Sequence, residues 1–340
     1  MNSDKLTNLA DLDGVCVGHA SDPEALTGCT AVVFPEGAVT AHVTCGVATG
    51  SRELDALTPR HLVNRIHAIS LSGGSAFGLA AASGVMRRLE EADIGHRTGN
   101  GRVPIVPGAV VYDLNLGDGK VRPDEVMGYR AADAALAGGP SLSGNVGAGA
   151  GVCAGKMLGV KCATKTGLGN ASVVASEGLK VAALAVVNPV GDVRDPMTQR
   201  ILAGARRTPR SRELRGTSSL IRTGVPCSPL KNHNTTLAVV ATNAALTQVE
   251  AGWVAEQAAV GLARIIDPPF TRHDGDVVFC TTVGDLRSDL HRIGVLARDV
   301  LMAAIVDACL SAEPAGGLPS GDKLHQPNRR RETVRAPEKK

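Results

Sequence analysis

The sequence predicts an α+β fold in which helices cover a layered sheet core built largely of Val and Ala. Three observations carry that expectation. Hydrophobic residues make up 44% of the 340-residue chain but aromatics only 2%, so Ala, Val, Leu and the 40 glycines must fill the interior. Such a mix suits sheets and helices whose backbones approach closely. Short apolar runs of strand length alternate with Gly-rich turns, and a few longer stretches carry their apolar residues at helical spacing.

Taken in order, residues 15–20, 30–35 and 41–47 read as strands. Residues 67–72 form another, running through Gly73 and Gly74 into a helix over 75–91. That helix sets Leu79, Val85, Met86 and Leu89 on one face, with Arg87, Arg88, Glu90 and Glu91 outside. Residues 103–114 return to extended structure interrupted by Pro104 and Pro107, and a second helix covers 124–137. A glycine run over 144–155 ends at Lys156. Residues 161–166 and 171–190 read as long strands joined by Gly-Leu-Gly-Asn.

Near residue 204 the composition changes. Arg206, Arg207, Arg210, Arg212, Arg215 and Arg222 crowd a segment that also holds Pro209, Pro226 and Pro229. It reads as a flexible, exposed basic linker over 205–231. Residues 236–242 then form a buried strand. Thr247 and Glu250 have capping-box spacing and open a helix whose Val254, Ala258, Gly261, Leu262 and Ile265 share a face. A strand over 276–283 and a long helix over 288–312 follow, the latter with Ile293, Leu296, Val300, Ile305 and Leu310 on its apolar side. No internal repeat is present.

Charge and cysteine usage exclude several function classes. The chain carries +3, but its last sixteen residues carry +4, so the folded body is near neutral at −1. A basic, Pro-broken tail over 321–340 reads as disordered. Few aromatics and a neutral body speak against nucleic-acid binding. Eight cysteines are scattered without CxxC or Cys/His ligand spacing, which argues against a metal site and for a reducing, cytoplasmic setting. The first residues lack a basic segment followed by an apolar run, and no stretch of about 18 apolar residues occurs, so neither a signal peptide nor a membrane span is expected.

The sharpest chemical feature is Asn-His-Asn-Thr-Thr at 232–236, between the linker and a buried strand. A Thr hydroxyl there can attack the preceding carbonyl, turning the Asn234–Thr235 amide into an ester that water hydrolyses. The freed Thr235 α-amine, with an ordinary pKa of about 7.7–8.0, can then serve as general base for its own hydroxyl. Thr-Thr opening a strand also fits β-propensity alone. Asp274 and Asp276 flank Gly275 before an apolar strand, where a solvated turn is the plain alternative. Lys156 after the glycine run, Tyr112 in an extended segment and Asn188 in Asn-Pro-Val-Gly each have a mundane reading as well. Gly73-Gly74-Ser75-Ala76-Phe77 fails both the nucleophile-elbow and phosphate-loop patterns and reads as close helix–strand packing.

Together these pieces resemble one family over residues 8–320: the L-aminopeptidase/D-esterases, β-peptidyl aminopeptidases and nylon-oligomer hydrolases, whose precursors self-cleave to expose Ser or Thr. LADLDGVCVGHASD, TGCTAVVFPEGA, TGSRELDAL, LSGGSAFGLAAASGVMRRLEE, VPIVPGAVVYDL, GNVGAGAGVCAGK, LAVVNPVGDV, HNTTLAVVATNAALT, HDGDVVF and AEPAGGLPS carry the resemblance by their order and spacing. It implies a four-layer α/β/β/α sandwich forming a single catalytic domain over 1–320, cut into an α chain 1–234 and a β chain 235–340 that stay together. It also implies Thr235 as nucleophile, Lys156 as electrostatic support for its hydroxyl, and Asn188 with a backbone N–H near Val110 as oxyanion donors. Tyr112 would position the scissile group, Asp274 and Asp276 would orient the amine and nucleophile, and Asn243 would support the oxyanion site. Aminopeptidase members typically carry Ser and Glu where this chain has its two aspartates, as the nylon-oligomer branch does, which leaves exo- and endo-cleavage both open. Glu53 or Asp55 could meet a substrate amine or cap a turn. No cofactor, nucleic acid or membrane is implied; a small peptide or amide substrate and a tetramer of processed heterodimers are. An acyltransferase of the ornithine-acetyltransferase type and an unprocessed binding homologue are the rival readings.

Overall fold

The computed structural model describes residues 8–226 and 234–325. Strands β1 (Cys16–Asp22), β2 (Thr27–Thr44), β3 (Arg65–Ser72), β4 (Gly108–Val110), β5 (Leu168–Val174), β6 (Lys180–Asn188), β7 (Thr235–Ala244) and β8 (Val277–Leu286) build the main sheet, with a short edge strand at Ser51–Arg52. Their order is β5-β6-β7-β8-β2-β3-β4 and then the edge strand, while β1 pairs with β2 off that path. Neighbours run antiparallel except β7 with β8 and β3 with β4.

Strand β2 makes one sheet into two layers. Its first half pairs with β1, from Thr27 to Val33, and its second half with β8, from Val39 to Thr44. Between them the pairing with β3 shifts register from Val33 to Ala38. The bulge accommodates Pro35, which has no N–H to give a ladder, and lets the strand bend. Sequence expectation had two strands here; the structure has one long bent one.

The two layers face each other across a core that includes Val32, Phe34, Ile69 and Leu71 from one side and Leu184, Val186, Leu237, Val239 and Phe279 from the other. Helices α1 (Ala81–Glu91) and α2 (Glu125–Leu136) cover the outer face of the β1–β3 layer, against Cys29, Ala31, Val33 and Ala68. Helices α3 (Gln248–Ile265) and α4 (Leu290–Leu310) cover the other layer, against Val181, Ala183, Ala185, Ala238, Val240 and Val278. Along each strand successive side chains point to opposite faces, so alternate residues feed the central core and a helical one. This is the four-layer α/β/β/α arrangement. No helix of the described residues is long and apolar enough to cross a membrane.

Helix starts follow their caps. Asp124 accepts the Met127 N–H, Asp289 accepts the Arg292 N–H, and Thr247 and Glu250 form both bonds of a capping box. Several expectations need correcting. Residues 75–80 form a 3-10 segment before α1 begins at Ala81. The expected strand over 171–190 is two strands, because the chain reverses at Ser176–Gly178 with Glu177 at φ 63°. Gly-Leu-Gly-Asn runs into β5 instead of joining strands, and of 161–166 only Thr164–Lys165 is extended. Leu310, expected on the buried side of α4, is 50% exposed.

In the basic segment Arg207, Arg210, Arg212, Arg215 and Arg222 are exposed as expected, and Arg206 alone departs from that reading. Arg206 is 2% exposed, and its guanidinium donates to the carbonyls of Lys161, Ala163 and Pro209. An arginine fork can be satisfied by backbone oxygens without any carboxylate, which composition alone does not reveal. Thr217–Arg222 forms a short helix, and Asp192 accepts the N–H groups of both Ala205 and Thr217. The remainder of that segment, 227–231, lies outside the described residues. So does the expected tail beyond a helical turn at Gly321–His325.

Candidate active site

Strand directions bring the site together. β6 ends at Asn188 and β7 begins at Thr235, and because the two run antiparallel these residues pair directly. β7 and β8 are parallel, so their starts lie side by side: Asn234 bridges to Asp274, and Leu237 pairs with Val277. One edge of the sheet thereby collects Asn188, Asn234, Thr235, Asp274 and Asp276, all nearly or fully buried.

The Asn234–Thr235 peptide is the focus. Thr235 is 2% exposed, and its hydroxyl donates to the Asn234 carbonyl oxygen at 2.5 Å. A C=O bond spans about 1.23 Å, so the carbonyl carbon lies within about 3.7 Å of that hydroxyl. The same carbonyl accepts the Gly275 N–H at 2.7 Å. Two donors thus converge on one peptide oxygen. Gly275 was missed from sequence except as the residue between two aspartates. A side chain there would meet the Ala48 carbonyl at 2.5 Å, so the close approach of that segment requires glycine.

Behind the peptide sit the carboxylates. Asp274 accepts the Val190 N–H at 3.1 Å and both the N–H and hydroxyl of Thr271, at 3.0 and 2.5 Å. Asp276 accepts the Thr236 N–H at 2.5 Å. Burial raises the pKa of both, and for Asp276 the neighbouring Asp274 charge pushes it further, well above the usual carboxylate range. The pair therefore holds a proton beyond the pH at which exposed aspartates lose theirs.

Lys156 approaches from the glycine run. Gly155 adopts φ 76°, and a side chain there would lie 2.0 Å from Ala205 N. The turn aims Lys156 inward at 3% exposure, where its ammonium donates to the Asn188 carbonyl at 2.9 Å and to Asn188 Oδ1 at 2.6 Å. Burial lowers its pKa, while Cys153, Asp274, Asp276 and Asp113 oppose that shift. Asn188 Nδ2 donates to the Tyr112 carbonyl at 3.0 Å, which leaves its second N–H for another acceptor.

Tyr112 lines two cavities that flank the peptide. On the Thr235 side is one of about 290 Å³, whose walls include Thr49, Gly50, Ser75, Val110 and Tyr112. On the Asn234 side, Tyr112, Asp113, Cys153 and Lys156 enclose a small space of about 10 Å³. Ser75 was set aside at sequence level as helix–strand packing; it stands in the cavity wall at φ 54°. Asp113 holds the turn before it, accepting the Gly74 N–H and the Thr27 hydroxyl, each at 2.7 Å.

Three expectations fall elsewhere. The Val110 N–H donates to the Gly50 carbonyl at 3.1 Å, so it is committed to backbone pairing, although Val110 lines the cavity. Asn243 lies at the opposite end of β7, where its side chain accepts the Lys180 N–H at 2.8 Å and donates to Gly178 at 2.9 Å. Strand rise puts it about 26 Å from Thr235 at about 3.3 Å per residue, which excludes an oxyanion role. Glu53 and Asp55 are exposed and outside the cavity walls; Asp55 lies in a short 3-10 turn that Glu53 precedes.

The chain is similar to known proteins over nearly its whole length. The sequence profile of Peptidase family S58 matches residues 7–320. An uncharacterized aminopeptidase of Mycobacterium leprae is 39% identical, over 93% of each chain. A 6-aminohexanoate-oligomer endohydrolase of Paenarthrobacter ureafaciens is 30% identical over 88% of this chain and 84% of its own. Among solved structures, a Burkholderia sp. beta-aminopeptidase superposes with a TM-score of 0.67 at 19% identity, covering 94% of this chain and 92% of that one. The L-aminopeptidase D-Ala-esterase/amidase of Ochrobactrum anthropi, a variant of the Ntn hydrolase fold, gives 0.68 at 17%, covering 94% and 91%. The chain belongs to Peptidase family S58 and is a hydrolase of peptide or amide bonds.

Proposed function

We propose that the chain cuts itself between Asn234 and Thr235, and that the freed Thr235 is the nucleophile of a hydrolase acting on small peptides or peptide-like amides. The observation that carries this reading is the Asn234 carbonyl, held between the Thr235 hydroxyl at 2.5 Å and the Gly275 N–H at 2.7 Å. In self-cleavage the Thr235 oxygen adds to the Asn234 carbonyl carbon, and negative charge gathers on the oxygen that Gly275 already contacts. The C–N bond then breaks and the Thr235 nitrogen takes up the proton that the hydroxyl gave up on attack. Asp276, which accepts the Thr236 N–H and holds a proton above the usual range, is the candidate relay, giving its proton to the nitrogen and taking up the one the hydroxyl loses. Water hydrolyses the resulting ester, giving an Asn234 carboxylate and a free Thr235 amine and hydroxyl.

In turnover, that amine takes the hydroxyl proton as the oxygen attacks a substrate carbonyl, and returns it to the leaving amine. Departure of the Asn234 carbonyl frees the Gly275 N–H for the substrate's oxyanion, with the spare N–H of Asn188 as second donor. Lys156 favours negative charge near the hydroxyl through its link to Asn188. Tyr112, in both cavity walls, positions the scissile group. Chains 1–234 and 235–340 stay together because β7 lies between β6 and β8 in the sheet, and such heterodimers associate further as tetramers.

The test is amide hydrolysis by purified protein. Thr235→Ser retains measurable release of a peptide p-nitroanilide, while Thr235→Ala gives none above buffer. Equal activity in Thr235→Ala and the natural chain overturns the assignment of the nucleophile.

A further inference from the structure

The turn through Gly73, Gly74 and Ser75 is anchored twice to one neighbouring segment. Asp113, 4% exposed, accepts the Gly74 N–H and the Thr27 hydroxyl, each at 2.7 Å, and the Val111 carbonyl accepts the Ser75 N–H at 3.0 Å. Tyr112 lies between those two anchors, so Ser75 and Tyr112 are held in register, and both stand in the wall of the cavity that Thr235 lines. Gly73 is packed so closely that a side chain there would meet the Asp113 carboxylate at 1.9 Å.

Gly74 and Ser75 both adopt left-handed backbone, with φ 77° and 54°. Glycine does so freely, whereas the Cβ of serine crowds the backbone there. Packing gives no reason to keep serine in place of a third glycine. The side chain is half-buried and, among the described residues, makes no hydrogen bond. A serine near a helical start ordinarily spends its hydroxyl on an N–H of the first turn. The turn over Ser75–Ala80 has no such side-chain cap. Strained backbone of this kind clusters at functional sites, where the surrounding structure enforces it. The Ser75 hydroxyl, able both to donate and to accept, is left for whatever enters the cavity.

We infer, on the reading that Thr235 is the nucleophile, that Ser75 is a substrate-positioning residue. Its hydroxyl hydrogen-bonds a polar group of the bound amide while Thr235 attacks the carbonyl, and the doubly anchored turn fixes where that bond is made. The left-handed backbone is the cost of presenting a hydroxyl at this point of the wall.

The test sets stability against activity. Ser75→Gly removes the hydroxyl and relieves the backbone, whereas Ser75→Ala removes the hydroxyl and keeps the crowding. Both variants self-cleave. The thermal midpoint of the Gly variant is at or above that of the natural protein. With dialanine p-nitroanilide, KM rises about three- to tenfold in both variants, the scale of one hydrogen bond, and kcat stays within about twofold. Loss of activity in the more stable Gly variant then cannot come from a damaged fold. KM within about twofold of natural in either variant, or a fall in kcat at unchanged KM, overturns the inference and leaves the hydrolase assignment standing. A variant that stays uncut also overturns it, because Ser75 would then act on the shape of the site and not on substrate. Natural processed protein that cleaves no amide defeats the Thr235 reading itself, and the inference falls with it.

Discussion

The two ends of strand β7 carry similar sequence and opposite chemistry. At its start, Thr235 lies among Lys156, Asn188, Asp274 and Asp276, all buried, with both carboxylate pKa values raised and the lysine's lowered. At its other end Asn243 is partly exposed and simply ties the β5–β6 turn to β7 through Lys180 and Gly178. Burying so many ionisable groups costs stability unless each is hydrogen-bonded, and pKa values perturbed this way cluster at functional sites. The difference teaches that a polar residue within a family motif is assigned a role by what the fold places beside it. Motif membership alone misplaces Asn243.

Mutations can sharpen that contrast. The largest effect is expected for Asn188→Ala, which removes the proposed oxyanion donor and the Oδ1 acceptor of Lys156. Loss of about 10²–10³ in kcat is expected in steady-state assays of processed protein. A change below about threefold would show that Asn188 is not an oxyanion donor.

A smaller effect concerns pH. Because the folded pKa of Asp276 lies above its unfolded value, the folded state holds its proton longer. Stability therefore falls as pH rises from about 4 through the raised pKa, with a slope of at most about 1.4 kcal/mol per pH unit for one proton. Asp276→Asn keeps an acceptor for the Thr236 N–H and removes this titration. In a Thr235→Ala background, which removes the proposed nucleophile from both proteins, denaturant unfolding at several pH values should give a flatter profile for the Asn variant. Parallel profiles would contradict the raised pKa.

The smallest effect is expected at the quiet end. Asn243→Ala should cost about 1–2 kcal/mol by denaturant midpoint, the scale of losing a satisfied side-chain bridge, with kcat unchanged. A fall in kcat there would break the comparison.

Much of this was legible in the sequence. Helical spacing and the Thr247–Glu250 box placed α3 closely, and motif order gave the layered sandwich, because periodicity and caps are local signals. Thr235, Lys156, Asn188 and the two aspartates do converge, since each sits at a strand end or a glycine turn that sequence can mark. What stayed hidden is set by long-range pairing. The Gly275 N–H acts through its backbone, which leaves no side-chain signal. Ser75 and Thr49 reach the cavity only because β2 folds one layer over the other. Arg206 is buried because distant carbonyls meet it, whereas its neighbours in sequence suggested an exposed linker.

The central claim is tested most directly by intact mass under denaturing conditions, natural chain beside Thr235→Ala. The account predicts two fragments, residues 1–234 and 235–340, from the natural chain, and a single uncut species from the variant. A natural chain that stays whole after long incubation, or a variant that is cut at the same bond, would contradict it.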